Sequence, residues 1–202
     1  MYNLSMKLNA KELRDVDEKE IVDKLKSVKR CPIYFILENI YDTYNIGGLF
    51  RLADALAIEK IYLCGEMEVP PNSRIKKASI GTYKVVPWEY RKTAQEAIQE
   101  LKSGAKTSAV SARSNGKNLT AEVKQKAIKI IAVEQAQNSV PYQKADYSLP
   151  LALILGNESY GVTEETLKLA DQIVEIPMWG INKSLNVIVS ASIVSYYAMT
   201  KI

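Results

Sequence analysis

The run LALILG at 151–156 carries no polar side chain. It has the length of a strand, and a strand with no polar face must be covered on both sides, as in a parallel sheet flanked by helices. PIYFIL at 32–37, IKIIAVE at 128–134 and QIVEI at 172–176 are further buried-strand candidates. Shorter ones are expected at 60–63, ending at Gly65, and at 84–86.

Helical patterns separate these runs. Leu49, Leu52, Ala53 and Leu56 share one face of a first helix, and residues 93–102 form a second. A third is expected to start at Thr163, whose hydroxyl can cap it with Glu164 and Glu165 in the first turn. The last, largely apolar helix is expected over about 184–199, with Ser184 as its cap. Strands alternating with helices predict an α/β domain with a mostly parallel sheet and helices on both faces.

Two segments stand outside this rhythm. Residues 1–30 read as a helical extension, with Leu8, Leu13, Val16, Ile21, Val22, Leu25 and Val28 spaced three to four apart among charges. Residues 31–202 then form the main domain, interrupted at about 103–126 by a polar, basic insertion, read as a hairpin or loop plus a short helix. The chain breaks at VPPNS, 69–73.

The net charge of +4 over 202 residues conceals an uneven distribution. Arg74, Lys76, Lys77, Lys84, Arg91 and Lys92 face only Glu89 between positions 72 and 92, and Arg113 and Lys117 belong to a second basic stretch at 102–129. Residues 130–181 are acidic in balance. The first basic stretch interleaves Tyr83, Trp88 and Tyr90, a mixture that attracts phosphates and stacks exposed bases. By itself it is equally an ordinary solvated loop.

The chain contains no histidine, which excludes Ser-His-Asp and Cys-His triads and most catalytic zinc sites. Cys31 and Cys64, with no CxxC partner, read as reduced core thiols. The beginning is too charged for a signal peptide and no apolar run reaches membrane-span length, so a cytoplasmic protein without membrane attachment is expected.

Three segments can carry chemistry. NIGGLFR at 45–51 follows a strand and a turn, and its glycines permit close backbone approach at a helix start. It is neither GxGxxG nor a Walker loop. GNESYG at 156–161 stands at the C-terminal end of a buried strand, where open α/β sheets hold ligands. Glu158 there is either paired or a solvated turn residue. IPMWGINKSLN at 176–186 leads into the small-residue final helix, which is either core or interface.

These motifs, in this order over roughly residues 31–200, resemble the SpoU/TrmH family of SPOUT-superfamily RNA ribose 2′-O-methyltransferases. The resemblance implies a sheet whose C-terminal part forms a deep trefoil knot, an exception to the rule that chains avoid knots. It implies S-adenosylmethionine held at Val133, Glu134, Gly156, Ile176, Met178 and Leu185, with S-adenosylhomocysteine as product and no metal. It assigns catalysis to Asn45, Arg51, Glu158, Ser184 and Asn186, with Asn45 and Arg51 of one subunit meeting the other three across a homodimer interface.

RNA is the implied partner, tRNA favoured over rRNA because residues 1–30 are too few for a separate RNA-binding domain. Arg74, Lys76, Lys77, Arg113 and Lys117 are the candidate RNA contacts. The alternatives are a ribosomal RNA enzyme and a knotted RNA-binding or assembly protein without activity.

Overall fold

The computed structural model describes residues 7–17, 21, 25, 27–104, 109–114, 117–122 and 126–202, of which 109–114 and 117–122 are described by their backbone alone. In chain order the elements are α1 (Ala10–Asp15), β1 (Cys31–Glu38), α2 (Thr43–Ala55), β2 (Ile58–Cys64), α3 (Ser73–Ser79), β3 (Trp88–Arg91) and α4 (Ala94–Gly104). They continue with β4 (Ala109–Ser114), β5 (Lys117–Glu122), β6 (Lys129–Val133), β7 (Val140–Pro141), β8 (Leu151–Leu155), α5 (Glu164–Leu167), β9 (Gln172–Glu175) and α6 (Val187–Met199).

Seven strands form one sheet in the order β3-β2-β1-β8-β6-β9-β7, and every neighbouring pair is parallel. β4 and β5 form a separate antiparallel hairpin within the expected insertion. Two strands enter gaps between elements that precede them in sequence, β8 between β1 and β6 and β9 between β6 and β7.

Alternation along each strand divides the core in two, since successive side chains leave opposite faces. Ile33, Phe35, Leu37, Leu151, Leu153 and Leu155 pack with Leu49 and Phe50 of α2 and Ala191 and Val194 of α6. Ile36, Ala152, Ile154, Ile130 and Ala132 pack with Ala97, Ile98 and Leu101 of α4 on the other side. All five residues of β8 are buried, which explains its lack of a polar position.

Gly47 makes a close approach possible, because a Cβ there would lie 2.5 Å from the Ala78 Cβ of α3. The N-terminal segment docks on the 3-10 turn Thr82–Lys84, whose last residue, Lys84, donates from Nζ to the carbonyls of Arg14 and Val16.

Three local expectations are corrected and one helix is added. Residues 84–86 are not a strand: the 3-10 turn absorbs Lys84, Val85 and Val86 cover the core, and the strand is β3. α3 was not foreseen, although Asn72 caps it by accepting from the backbone N–H of Arg74 and Ile75. The helix at Thr163 is capped as expected but stops after one turn, at Leu167. The cap of α6 is Asn186 and not Ser184.

Candidate active site

β6, β8 and β9 end together, and the segments leaving them enclose a cavity of about 390 Å³. This is the C-terminal edge of a parallel sheet, where ligands of open α/β folds sit. All six residues expected to hold a cofactor line it: Val133, Glu134, Gly156, Ile176, Met178 and Leu185. Glu158 and Ser184 line it as well.

The GNESYG segment closes on itself. Asn157 and Gly161 exchange backbone hydrogen bonds, and Asn157 Oδ1 accepts from the N–H of Ser159 and Tyr160. Gly161 has φ +71°, and a Cβ on Gly156 would lie 2.2 Å from the carbonyl carbon of Gly161, so both glycines are required by the turn. Glu134 fixes the turn from below, its Oε2 accepting from the N–H of Val162 at 2.9 Å.

Glu158 is paired. Its Oε2 accepts from the N–H of Tyr41 at 3.0 Å, and its Oε1 accepts from the N–H of Asp42 at 3.1 Å and from Asn45 Nδ2 at 2.8 Å. The carboxylate therefore sits at the N-terminus of α2, where the helix dipole favours an anion. Partial burial raises its pKa, but the hydrogen bonds from Asn45, Tyr41 and Asp42 outweigh that and hold it below the usual carboxylate value.

Asn45 is 6% exposed and uses both ends of its amide, accepting at Oδ1 from Asn186 Nδ2 at 2.9 Å. Asn186 in turn caps α6, its Oδ1 accepting from the N–H of Ile188. Three motifs distant in sequence are thus tied in one line, Glu158 to Asn45 to Asn186.

That line lies within a single chain, which corrects the expectation that Asn45 meets Glu158 and Asn186 across a subunit interface. Arg51 is exposed on α2 and does not line the cavity. Arg74, Lys76 and Lys77 are exposed on α3. The side chains of Arg113 and Lys117 lie outside the described residues.

The rest of the basic stretch is largely committed internally. Arg91 pairs with Glu89 and Glu100, Tyr83 is buried, and Trp88 packs edge-on against Phe50. Gln135, at the 133–135 strand end that the resemblance sets beside the cofactor, donates its amide to the carbonyl of Lys183 and ties that strand end to the third motif. Sequence reasoning missed Glu38, 4% exposed at the end of β1, whose carboxylate accepts from the N–H and hydroxyl of Thr163 and the hydroxyl of Thr166. Its proximity to GNESYG is set by the β1–β8 pairing, which nothing local announces.

A sequence model of the SpoU rRNA Methylase family matches residues 32–124 and 105–196. A tRNA (guanosine(18)-2′-O)-methyltransferase of Escherichia coli strain K12 is 27% identical over 80% of this chain and 60% of its own length. One of the same name from Aquifex aeolicus is 26% identical over 98% of this chain and 79% of its own.

The fold matches an AdoMet-bound rRNA methyltransferase from Sinorhizobium meliloti with a TM-score of 0.70 at 23% identity, covering 94% of this chain and 60% of that one. The chain thus spans about three fifths of the length of the Escherichia coli relative. With all three motifs brought to one sheet edge and the family's sequence pattern running through the domain, the chain belongs to the SpoU rRNA Methylase family.

Proposed function

We propose that the chain is an S-adenosylmethionine-dependent RNA methyltransferase acting on a ribose 2′-hydroxyl, with tRNA as the favoured substrate over rRNA. The observation that carries this is the Glu158–Asn45–Asn186 line at the mouth of the strand-end cavity. The two relatives named as tRNA (guanosine(18)-2′-O)-methyltransferases support the substrate class. The interleaving of β8 and β9 supports the family's trefoil knot.

The residues present fit S-adenosylmethionine. Val133, Ile176, Met178 and Leu185 offer apolar walls suited to an adenine, and Ser184 with the irregular backbone of 176–186 offers polar groups for the ribose and the amino-acid tail. When bound, the group supplies a methyl on a positively charged sulfur, activated toward an attacking oxygen.

The chain's own residues orient and neutralise. Glu158 holds the loop before α2, Asn45 transmits that position to Asn186, and Asn186 fixes the start of α6 beside Ser184 and Leu185. Holding the hydroxyl in line contributes up to roughly 7 to 11 kcal/mol in well-oriented reactions. Arg51 stabilises the developing alkoxide and grips the neighbouring phosphate through its planar guanidinium.

Arg51 is exposed and does not line its own cavity, and in this reading it serves that of a second copy, in a homodimer. Exposed Trp179 (92%), Ile181, Val189 and Tyr196, on the third motif and α6, support such an interface.

Arg51→Ala is expected to abolish methyl transfer to RNA while cofactor affinity by calorimetry stays within about twofold. Mixing Arg51→Ala with Glu158→Ala subunits should restore transfer, since one site of each mixed dimer has both residues intact. Retained transfer in Arg51→Ala would reject its role, and failure of mixing to restore transfer would reject the shared site.

A further inference from the structure

On the far side of the GNESYG turn lies a second groove of about 620 Å³, which the cofactor reading leaves unused. It opens at the C-terminal ends of β1, β2 and β3 and shares Asn157, Tyr160 and Gly161 with the first cavity, so one turn is the wall between them. Three tyrosines line it, and all are exposed: Tyr41 by 75%, Tyr90 by 46% and Tyr160 by 91%. Tyr90 is held in place by its hydroxyl, which donates to the carbonyl of Gly65 at 3.2 Å.

The polar lining restricts the occupant. Lys92, Glu66 and Glu165 are exposed around the groove, a net negative set that disfavours a phosphate. Three phenol rings with two exposed carboxylates suit a flat aromatic ring that stacks on its faces and donates hydrogen bonds at its edge. A nucleobase has both properties, and stacking on an aromatic side chain is independent of which base it is.

Continuity with the first site selects the source of that base. The Tyr41 N–H donates to Glu158, so the groove begins where the proposed ribose-positioning line ends. Resting on the RNA reading above, we infer that this groove takes an unpaired nucleobase of the RNA strand whose ribose is presented at Glu158, and that Tyr90 is its stacking platform. Of the three aromatic residues in the basic stretch, Tyr90 alone is exposed beyond a third of its surface.

The test is a fluorescence titration of a short single-stranded oligoribonucleotide containing 2-aminopurine, with wild type, Tyr90→Leu and Tyr90→Phe. Leucine keeps an apolar residue on β3 but removes the π face; phenylalanine keeps the face and loses only the hydroxyl. Wild type and Tyr90→Phe should bind and quench the probe. Tyr90→Leu should bind about tenfold more weakly with reduced quenching, within the range of one base–aromatic stack.

S-adenosylmethionine affinity should be the same in all three, since Tyr90 does not line the first cavity. Equal affinity and quenching in wild type and Tyr90→Leu, or a wild type that does not bind the probe, overturns the groove assignment. A wild type that binds in a Tyr90-dependent way but methylates no RNA overturns the catalytic reading and leaves the groove standing.

Discussion

Asn45 Nδ2 donates to the Glu158 carboxylate at 2.8 Å although 113 positions separate them in the chain. The pair joins the first turn of α2 to the turn after β8, and it does so beside the Asn186 cap of α6. A change at one of these residues is therefore felt at all three motifs.

Asn45→Ala should show this coupling directly. It leaves the Asn186 amide without its acceptor and removes one donor from Glu158, at a cost of about 1 to 3 kcal/mol. Chemical denaturation should register that loss, and methyl transfer should fall by more than cofactor affinity does. A variant as stable and active as the wild type would show that the line has no role.

Glu158 gives a pH prediction whose sign is fixed by its depressed pKa. A carboxyl titrating lower in the folded state than in the unfolded chain stabilises the fold above the unfolded value, about 4.3, and loses that contribution as pH falls through the folded value. The stability gap between wild type and Glu158→Gln should be fully present at neutral pH and narrow as pH falls below the unfolded value of about 4.3. A gap that widens on acidification would contradict the assignment.

Gly156→Ala tests the turn. Its added Cβ would lie 2.2 Å from the carbonyl carbon of Gly161 and 2.3 Å from the N of Val162, backbone atoms that cannot rotate aside. Cofactor affinity should drop by at least tenfold, together with a fall in melting temperature. Unchanged calorimetric binding would mean that the turn does not shape the cavity.

Cys64 is buried, and its thiol is pushed up to about 12, first by desolvation and then by nearby Glu38. Cys31 is also raised, again chiefly by desolvation. Neither should react appreciably with iodoacetamide at pH 8 in the folded protein, and both should react after denaturation. Rapid labelling of Cys64 in the native chain would place it outside the core.

Much of this architecture was readable from single segments. β1, β6, β8 and β9 announced themselves because buried parallel strands need apolar residues on both faces. β3 did not, because WEYR has mixed polarity and Val85 and Val86 beside it look more strand-like while serving as core cover behind a turn. α3 was hidden by its shortness and its charges, with Ile75 its only buried apolar residue.

The members of the site were legible in the motifs, and the resemblance already set Asn45 against Glu158 and Asn186. That the contact closes within one chain is decided by which helix starts beside β8, a fact of sheet order that no single segment carries. Ser184 and Asn186 are both competent caps, and only the register of α6 shows that Asn186 takes the position.

The strand order has a consequence for how the chain is made. While residues up to α4 emerge from the ribosome, β1 can pair with β2, but its other edge waits for β8, whose residues are translated much later. β6 waits in turn for β8 and β9. Such distant pairings fold slowly because chain closure must precede their reward. The strand-end cavity, built from those late junctions, is thus the last part to exist, and the appearance of binding capacity in a refolding time course should trail the appearance of α2 and α4 helicity.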